Sequence, residues 1–241
     1  MSFTNTIRSL GARAVGHEGR VVDVSRLSPS LLRIRLVSGR ISAERFAPGC
    51  KIKMHVGDGA MRSYTPASVD THRGWLDIVV FVQGDSAASR WANALRRDDT
   101  VHFLGPASSI SGPSGDEPWV GFYGDETALG LAEAIVGAAA THVVQGAIET
   151  RPGDVAALDH LSLDAVPRGP EVGTGLVEHA RSLEIPGGPG VVWLSGEATS
   201  VLALRTVLLE RGVPKTRLRI KPYWSVRGKA HRKTLERTAL R

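Results

Sequence analysis

The chain has 241 residues, 42% of them hydrophobic and 22% charged, which excludes a disordered segment or a small stapled scaffold and leaves room for one large or two small domains. Its one cysteine, Cys50, excludes an internal disulfide, an iron–sulfur cluster and a cysteine-rich zinc site, so any redox chemistry must be borrowed from a cofactor. The net charge of +6 is uneven: residues 214–241 hold ten Lys or Arg against Glu236 alone, while the residues before them hold 20 basic against 23 acidic side chains, which argues against a nucleic-acid surface spread over the whole chain.

Residues 1–8 lack the apolar core of a secretory signal, and no apolar run nears the roughly 20 residues that span a bilayer; a cytoplasmic location without a membrane span is expected. From residue 19 the first half reads as strands. Short β-favouring runs at 19–26, 31–37, 51–56, 61–65, 75–82 and 100–104 are separated by Gly, Pro and Asp punctuation, a spacing that predicts a small closed antiparallel barrel. A helix is predicted over 86–96, with Trp91 and Leu95 one turn apart.

Two stretches of this half carry candidate chemistry. On the fourth strand, Arg62-Ser63-Tyr64-Thr65 places Arg62 and Tyr64 on one face. A guanidinium that can fork onto a phosphate, a phenol ring that can pack on a ring system and a neighbouring hydroxyl suit a flavin nucleotide. The same four residues also suit an exposed arginine and a half-buried tyrosine on an ordinary barrel strand. Residues 84–92 follow a strand and open a helix with small side chains around Ala88 and Ser89. Free N–H groups there suit a pyrophosphate, or Asp85 or Ser86 simply caps the first turn.

Residues 111–117, Ser-Gly-Pro-Ser-Gly-Asp-Glu, are breaker-rich and mark a change of pattern, so domains are expected at 1–112 and 113–241. Beyond them strands at 119–123, 142–148, 163–166, 191–195 and 217–221 alternate with helices at 126–138, 174–183 and 198–211, the pattern of a parallel α/β sheet whose ligands bind at the strands' carboxyl ends. Asp125, Thr127 and Ala128 follow the first of these strands. Gly196 and Glu197 follow the fourth, on the same rim. The first turn lacks the three-glycine dinucleotide fingerprint. Glu149, ending the second strand, is placed to bond a ribose 2′-hydroxyl, and Arg151 is placed to receive a 2′-phosphate, with a lean towards NADH. No histidine pairs with a carboxylate or a second histidine at a metal-ligand spacing, and no metal is expected.

Taken in order, these pieces resemble the siderophore-interacting proteins, flavin-dependent ferric-siderophore reductases of the ferredoxin-NADP reductase superfamily. The likeness rests on Arg62-x-Tyr64-Thr65, on Ala-Ser-Arg-Trp-Ala at 88–92, on Leu-Gly-Pro at 104–106 and on Gly-Asp-Glu-Thr-Ala-Leu at 124–129. Val-Trp-x-x-Gly-Glu-Ala at 192–198 and the Tyr223-Trp224 pair complete it. The resemblance implies an FAD-binding barrel of ferredoxin-reductase type followed by a nucleotide-binding α/β domain that receives NAD(P)H or meets a ferredoxin-like donor. By that analogy Arg62 contacts the flavin phosphates, Tyr64 and Thr65 the isoalloxazine, and the backbone of Val80, Phe81, Val82 and Gln83 its polar edge. Ala88 and Ser89 cradle the pyrophosphate, Asp125 and Thr127 lie near the cofactor, and Trp224 covers a flavin edge or shapes the acceptor side.

The implied chemistry is electron counting: NAD(P)H yields a hydride, iron(III) takes one electron, and a flavin that holds one or two converts between them. No catalytic side chain is required. The implied partner is a ferric siderophore or another iron(III) chelate. The chain departs from the family pattern at Ala67 (commonly Arg), Gln83 (commonly His) and Ser86-Ala87 (commonly Gly-Pro), and residues 222–228 are one residue longer than the terminal motif. A flavin reductase or electron-delivery partner with another acceptor therefore stands beside the leading reading, as does a non-catalytic binder of a ferric chelate or nucleic acid. The basic C-terminal segment reads as a solvated tail, as a cationic wall formed by Lys221, Arg227 and Lys229, or as a nucleic-acid or membrane contact.

Overall fold

The computed structural model describes residues 16–57, 59–139, 141 and 143–240, side chains 239 and 240 excepted. The N-terminal stretch read for a secretory signal lies outside the described residues, as does His142 of the predicted second parallel strand. The chain forms two compact units divided between Ser109 and Ile110.

The first unit holds β1 (His17–Ser28), β2 (Leu31–Val37), a short helix α1 (Gly39–Ala43), β3 (Lys51–His55), β4 (Met61–Tyr64), β5 (Pro66–Asp70), β6 (Trp75–Phe81), helix α2 (Ala87–Ala94) and β7 (Thr100–Ala107). The strands form one antiparallel sheet in the order β4-β3-β7-β1-β2-β6-β5. Its two edge strands, β4 and β5, are consecutive and joined by Thr65 alone, so the sheet must curl until its edges meet, which is barrel geometry. Alternation builds the interior: Leu32, Ile34 and Leu36 of β2 are buried and Arg33 and Arg35 between them are not. They pack with Ile52 and Met54 of β3 and Leu76, Ile78 and Val80 of β6. Strand β5 and helix α1 had no sequence prediction. Pro66 is tolerated as the first residue of an edge strand, and Ser38 caps α1 through its hydroxyl.

The second unit runs β8 (Val120–Asp125), a 3-10 turn (Glu126–Ala128), α3 (Leu129–Ala138), β9 (Val144–Thr150), a 3-10 segment (Pro152–Leu158), β10 (Asp164–Pro167), α4 (Thr174–Ser182), β11 (Val191–Glu197), α5 (Ala198–Glu210), a 3-10 turn (Lys215–Arg217), β12 (Leu218–Trp224) and α6 (Lys229–Leu240). Its sheet is parallel, in the order β10-β9-β8-β11-β12. The fold is therefore the expected antiparallel β-sheet unit followed by a parallel α/β unit. Strand order reverses at β8, so the switch point lies between β8 and β11, and the crevice past their carboxyl ends is the ligand position of such sheets. Both strands are buried along their whole length, as two-sided helix cover requires.

The basic segment after Pro214 is not a tail. It supplies the edge strand β12, which runs three residues past the predicted end, and helix α6, which packs on β12 and α5. Its one acid, Glu236, takes Lys221 Nζ at 2.5 Å and Arg232 at 3.2 Å, so Lys221 is neutralised rather than free to wall a pocket. Among the described residues no helix is long and apolar enough to cross a membrane.

Candidate functional site

The barrel's seam gathers the first-unit candidates. In the β3–β4 ladder Arg62 stands opposite Met54 and Tyr64 opposite Ile52, so the two share a face, and Ser63, opposite Lys53, points the other way. Arg62 is exposed; its guanidinium donates to the Met61 carbonyl at 3.1 Å, and among the described residues no carboxylate pairs with it. Tyr64 is half-buried and stacks on Trp91 of α2, ring centroids 6.4 Å apart and planes 28° apart. Burial pushes its phenol up to about 12, against the pull of Arg62. It stays neutral, as a ring that packs on another ring should. Thr65 is buried at the seam.

Across the seam, the β5–β6 ladder ends at Pro66–Ile78, and β6 continues to Phe81 without β5 beside it. Val80 is a core residue, Phe81 and Val82 are half-buried, and Val82 N donates to Ser30 O at 2.7 Å. Gln83 is exposed, but its main-chain N and O are both bonded to the Ser89 hydroxyl at 3.0 Å. Ser86 caps α2, accepting from Ser89 N at 3.1 Å. Ser89 is thus a buried clasp between the Gln83 loop and the helix. At this helix start Ala87 and Ala88 are small, half-buried side chains packed on the barrel core, and, with Ser89 N taken by the Ser86 cap, the N–H groups of Ala87 and Ala88 are those of the first turn with no intrahelical acceptor. An exposed cation, a neutral phenol and a small-residue helix start on one seam form a donor set that fits an aromatic dinucleotide with a pyrophosphate.

At the switch point of the second unit the side chains are acidic and already engaged. Asp125, 1% exposed, accepts from Thr127 N and Oγ1, from Glu197 N and from the Trp224 indole. Glu197 accepts from Thr199 N, Ser200 N and Val226 N. Ala128 and Gly196 are buried beside them. Glu126 and Glu149 share Arg168, and Glu126 also accepts from Arg151 N. Burial raises the carboxyls of Asp125, Glu126 and Glu149, with Arg168 acting against it in each case. Glu149, expected to bond a ribose hydroxyl, is fully buried, with Gly173 N at 2.7 Å on Oε1 and Arg168 3.4 Å from Oε2, which makes no hydrogen bond.

Two family models match the chain: the siderophore-interacting FAD-binding domain over residues 54–110 and the siderophore-interacting protein over residues 117–227. The chain belongs to the siderophore-interacting protein family. Among solved structures it is similar to the siderophore-interacting protein SipS of Aeromonas hydrophila, at 26% identity and a TM-score of 0.76, over 92% of this chain and 97% of that one. The fold is also that of the ferredoxin reductase in carbazole 1,9a-dioxygenase, at 19% identity and a TM-score of 0.68, over 87% and 69% of the two chains. Among curated proteins it is 26% identical, over 91% of its length, to the mycobactin import ATP-binding/permease protein IrtA of Mycolicibacterium smegmatis, of whose length it spans 27%. The resemblance read from the ordered motifs is borne out. All of the barrel candidates fall in the first matched range and all of the rim candidates in the second.

Three features of the site escaped sequence reading. Trp91 reads as a helix-packing residue, and only its stacking on Tyr64 places it at the seam. The bond from Trp224 to Asp125 spans 99 residues and follows from β8, β11 and β12 lying side by side. Histidine–carboxylate pairs form in space where the sequence has no ligand spacing: His160 with Glu133 at 3.1 Å and His179 with Asp164 at 2.8 Å. Among the described residues no group of three or more such side chains is placed to hold a metal ion.

Proposed function

We propose that the chain is an FAD-dependent NAD(P)H oxidoreductase that reduces ferric siderophores or similar iron(III) chelates and releases Fe(II). The observation that carries this reading is the barrel seam, where Arg62, Tyr64 with Trp91 behind it, and the start of α2 converge. Residues 1–112 bind FAD in this reading and residues 113–241 receive the nicotinamide. Bound FAD would supply the conversion between a hydride and single electrons. Arg62 binds the flavin phosphates, Thr65 offers a hydroxyl, and Tyr64 presents a ring face, while Ser63, whose side chain lies on the opposite face of β4, contributes its backbone. The backbone of Val80, Phe81, Val82 and Gln83 lines the flavin's polar edge, and Ala88 meets the pyrophosphate at the helix start that Ser89 anchors to the Gln83 loop. On the second unit Thr127, Ala128 and Gly196 form the rim that meets the nicotinamide, and Asp125 and Glu197 hold that rim in shape. No side chain has to transfer a proton.

One observation favours a second acceptor class. Ala67 is 5% exposed where the family pattern commonly has an arginine, so a cation of that pattern is missing from β5. A flavin reductase or electron-delivery partner with a different acceptor is the alternative. Steady-state oxidation of NADH and NADPH by the FAD-loaded chain, with a colour-forming Fe(II) chelator present, separates the two. Fe(II) formed in step with nicotinamide oxidation supports the ferric-chelate reading. Nicotinamide oxidation that yields no Fe(II) from hydroxamate, catecholate or citrate complexes supports the alternative.

A further inference from the structure

An ionised carboxylate offers about four acceptor positions, and in Asp125 all four are taken by the chain itself. Oδ1 accepts Thr127 N at 2.9 Å and the Thr127 hydroxyl at 2.5 Å; Oδ2 accepts Glu197 N at 2.9 Å and the Trp224 indole N–H at 2.8 Å. The donors come from three segments: the turn after β8, the last residue of β11 and the end of β12. Glu197 takes the next hold on the same strand end, accepting Val226 N on Oε1 at 3.2 Å while Oε2 caps α5 through Thr199 N and Ser200 N. The two acids therefore pin residues 224–226 from both sides.

The local backbone is built for this contact. The β11–β12 register slips between Gly196 and Glu197, so that Gly196 faces Pro222 and Glu197 faces Trp224, with Tyr223 as the extra residue. Gly196 has φ +112°, and a Cβ there would stand 2.6 Å from Asp125 Oδ2. Only glycine lets the carboxylate come this close. An indole N–H is a donor only, so a buried anionic acceptor fixes the ring's orientation as well as its place.

We propose that Asp125 is a positioning residue: it fixes the Trp224 indole at the carboxyl rim of the parallel sheet, where the donor would approach, and acts on flavin reduction through that ring. The inference rests on the reductase reading above. With its acceptor positions filled, Asp125 is not itself a ligand of the nicotinamide cofactor.

The test uses the full chain with 15N-labelled tryptophan. The indole signal lost in Trp224→Phe identifies Trp224. Asp125→Ser keeps a hydroxyl to cap the turn after β8 but is too short to reach the indole. It should move that signal and speed its solvent exchange by about tenfold or more. Asp125→Asn, whose amide oxygen can accept from the indole and Glu197 N while its NH2 gives up the bond from Thr127 N, should still hold the signal near its wild-type position. In single-turnover reduction by NADH or NADPH, D125S and W224F should each slow the FAD-loaded chain on the order of 10-fold, and the double variant no further. If D125S does not fold, Gly196→Ala, whose methyl crowds the same carboxylate, takes its place.

An indole signal unmoved in the disrupting variant overturns the proposal, as does a double variant slowed by the product of the single effects. Wild-type protein that holds FAD but is reduced by neither nicotinamide overturns the reductase reading instead. The indole signal is recorded without any donor and decides the positioning separately.

Discussion

Arg62 is an exposed guanidinium that, among the described residues, bonds the carbonyl before it, so its removal tests the phosphate contact with little risk to the fold. Arg62→Ala should weaken FAD binding by roughly 1.5 to 3 kcal/mol, the worth of a hydrogen bond to a charged group, which is about ten- to a hundredfold in Kd. Titration by flavin fluorescence measures it, and an unchanged Kd removes Arg62 from the site. Gly196 sits where no side chain fits: its φ of +112° and the 2.6 Å approach to Asp125 act together. Gly196→Ala should lower unfolding free energy by roughly 1 to 3 kcal/mol, read from urea midpoints. Wild-type stability in that variant would mean that the turn relaxes without cost.

At the scale of elements, the carboxyl ends of β8 and β9 bury Asp125, Glu126 and Glu149 around the single guanidinium of Arg168. Burial raises all three carboxyls above their ordinary values of 3.8 and 4.5. The native state therefore holds protons that the unfolded chain has released, so stability is full below the ordinary values and falls as pH rises through the raised ones. Urea midpoints should decline as pH rises above the ordinary carboxylate values, and Glu149→Gln should flatten the decline. A midpoint that rises over that range contradicts the sign of these shifts.

The elements also show what pattern alone can reveal. Strand β2 is legible to the residue because Leu32, Ile34 and Leu36 alternate with Arg33 and Arg35. Strand β5 is not, because Pro66-Ala67-Ser68 carries no β-branched signal and is a strand only by lying beside β6. Helix α6 hides in a basic run whose counterion, Glu236, matters only once β12 brings Lys221 beside it. The seam residues Arg62 to Thr65 were readable as one strand, but the packing of Trp91 behind Tyr64, like the Asp125–Trp224 bond, needs the topology.

At the scale of the whole molecule, the charge asymmetry changes meaning. Among the described basic residues after Pro214, Arg219 and Lys221 belong to β12 and Lys229, Arg232, Lys233 and Arg237 to α6, and Lys221 and Arg232 are held by Glu236. Lys229, Lys233 and Arg237 remain exposed along α6. The lone cysteine is buried and its thiol is pushed up to about 11 by that burial; in the proposed reading the electron work falls to a borrowed flavin. One anaerobic visible spectrum of the FAD-incubated chain tests this most directly, recorded before and after NADH or NADPH and again after a ferric chelate. The account predicts a yellow protein whose flavin absorption is bleached by the nicotinamide and restored by the chelate. A chain that stays colourless after incubation with FAD, or a flavin band that neither nicotinamide changes, would contradict it.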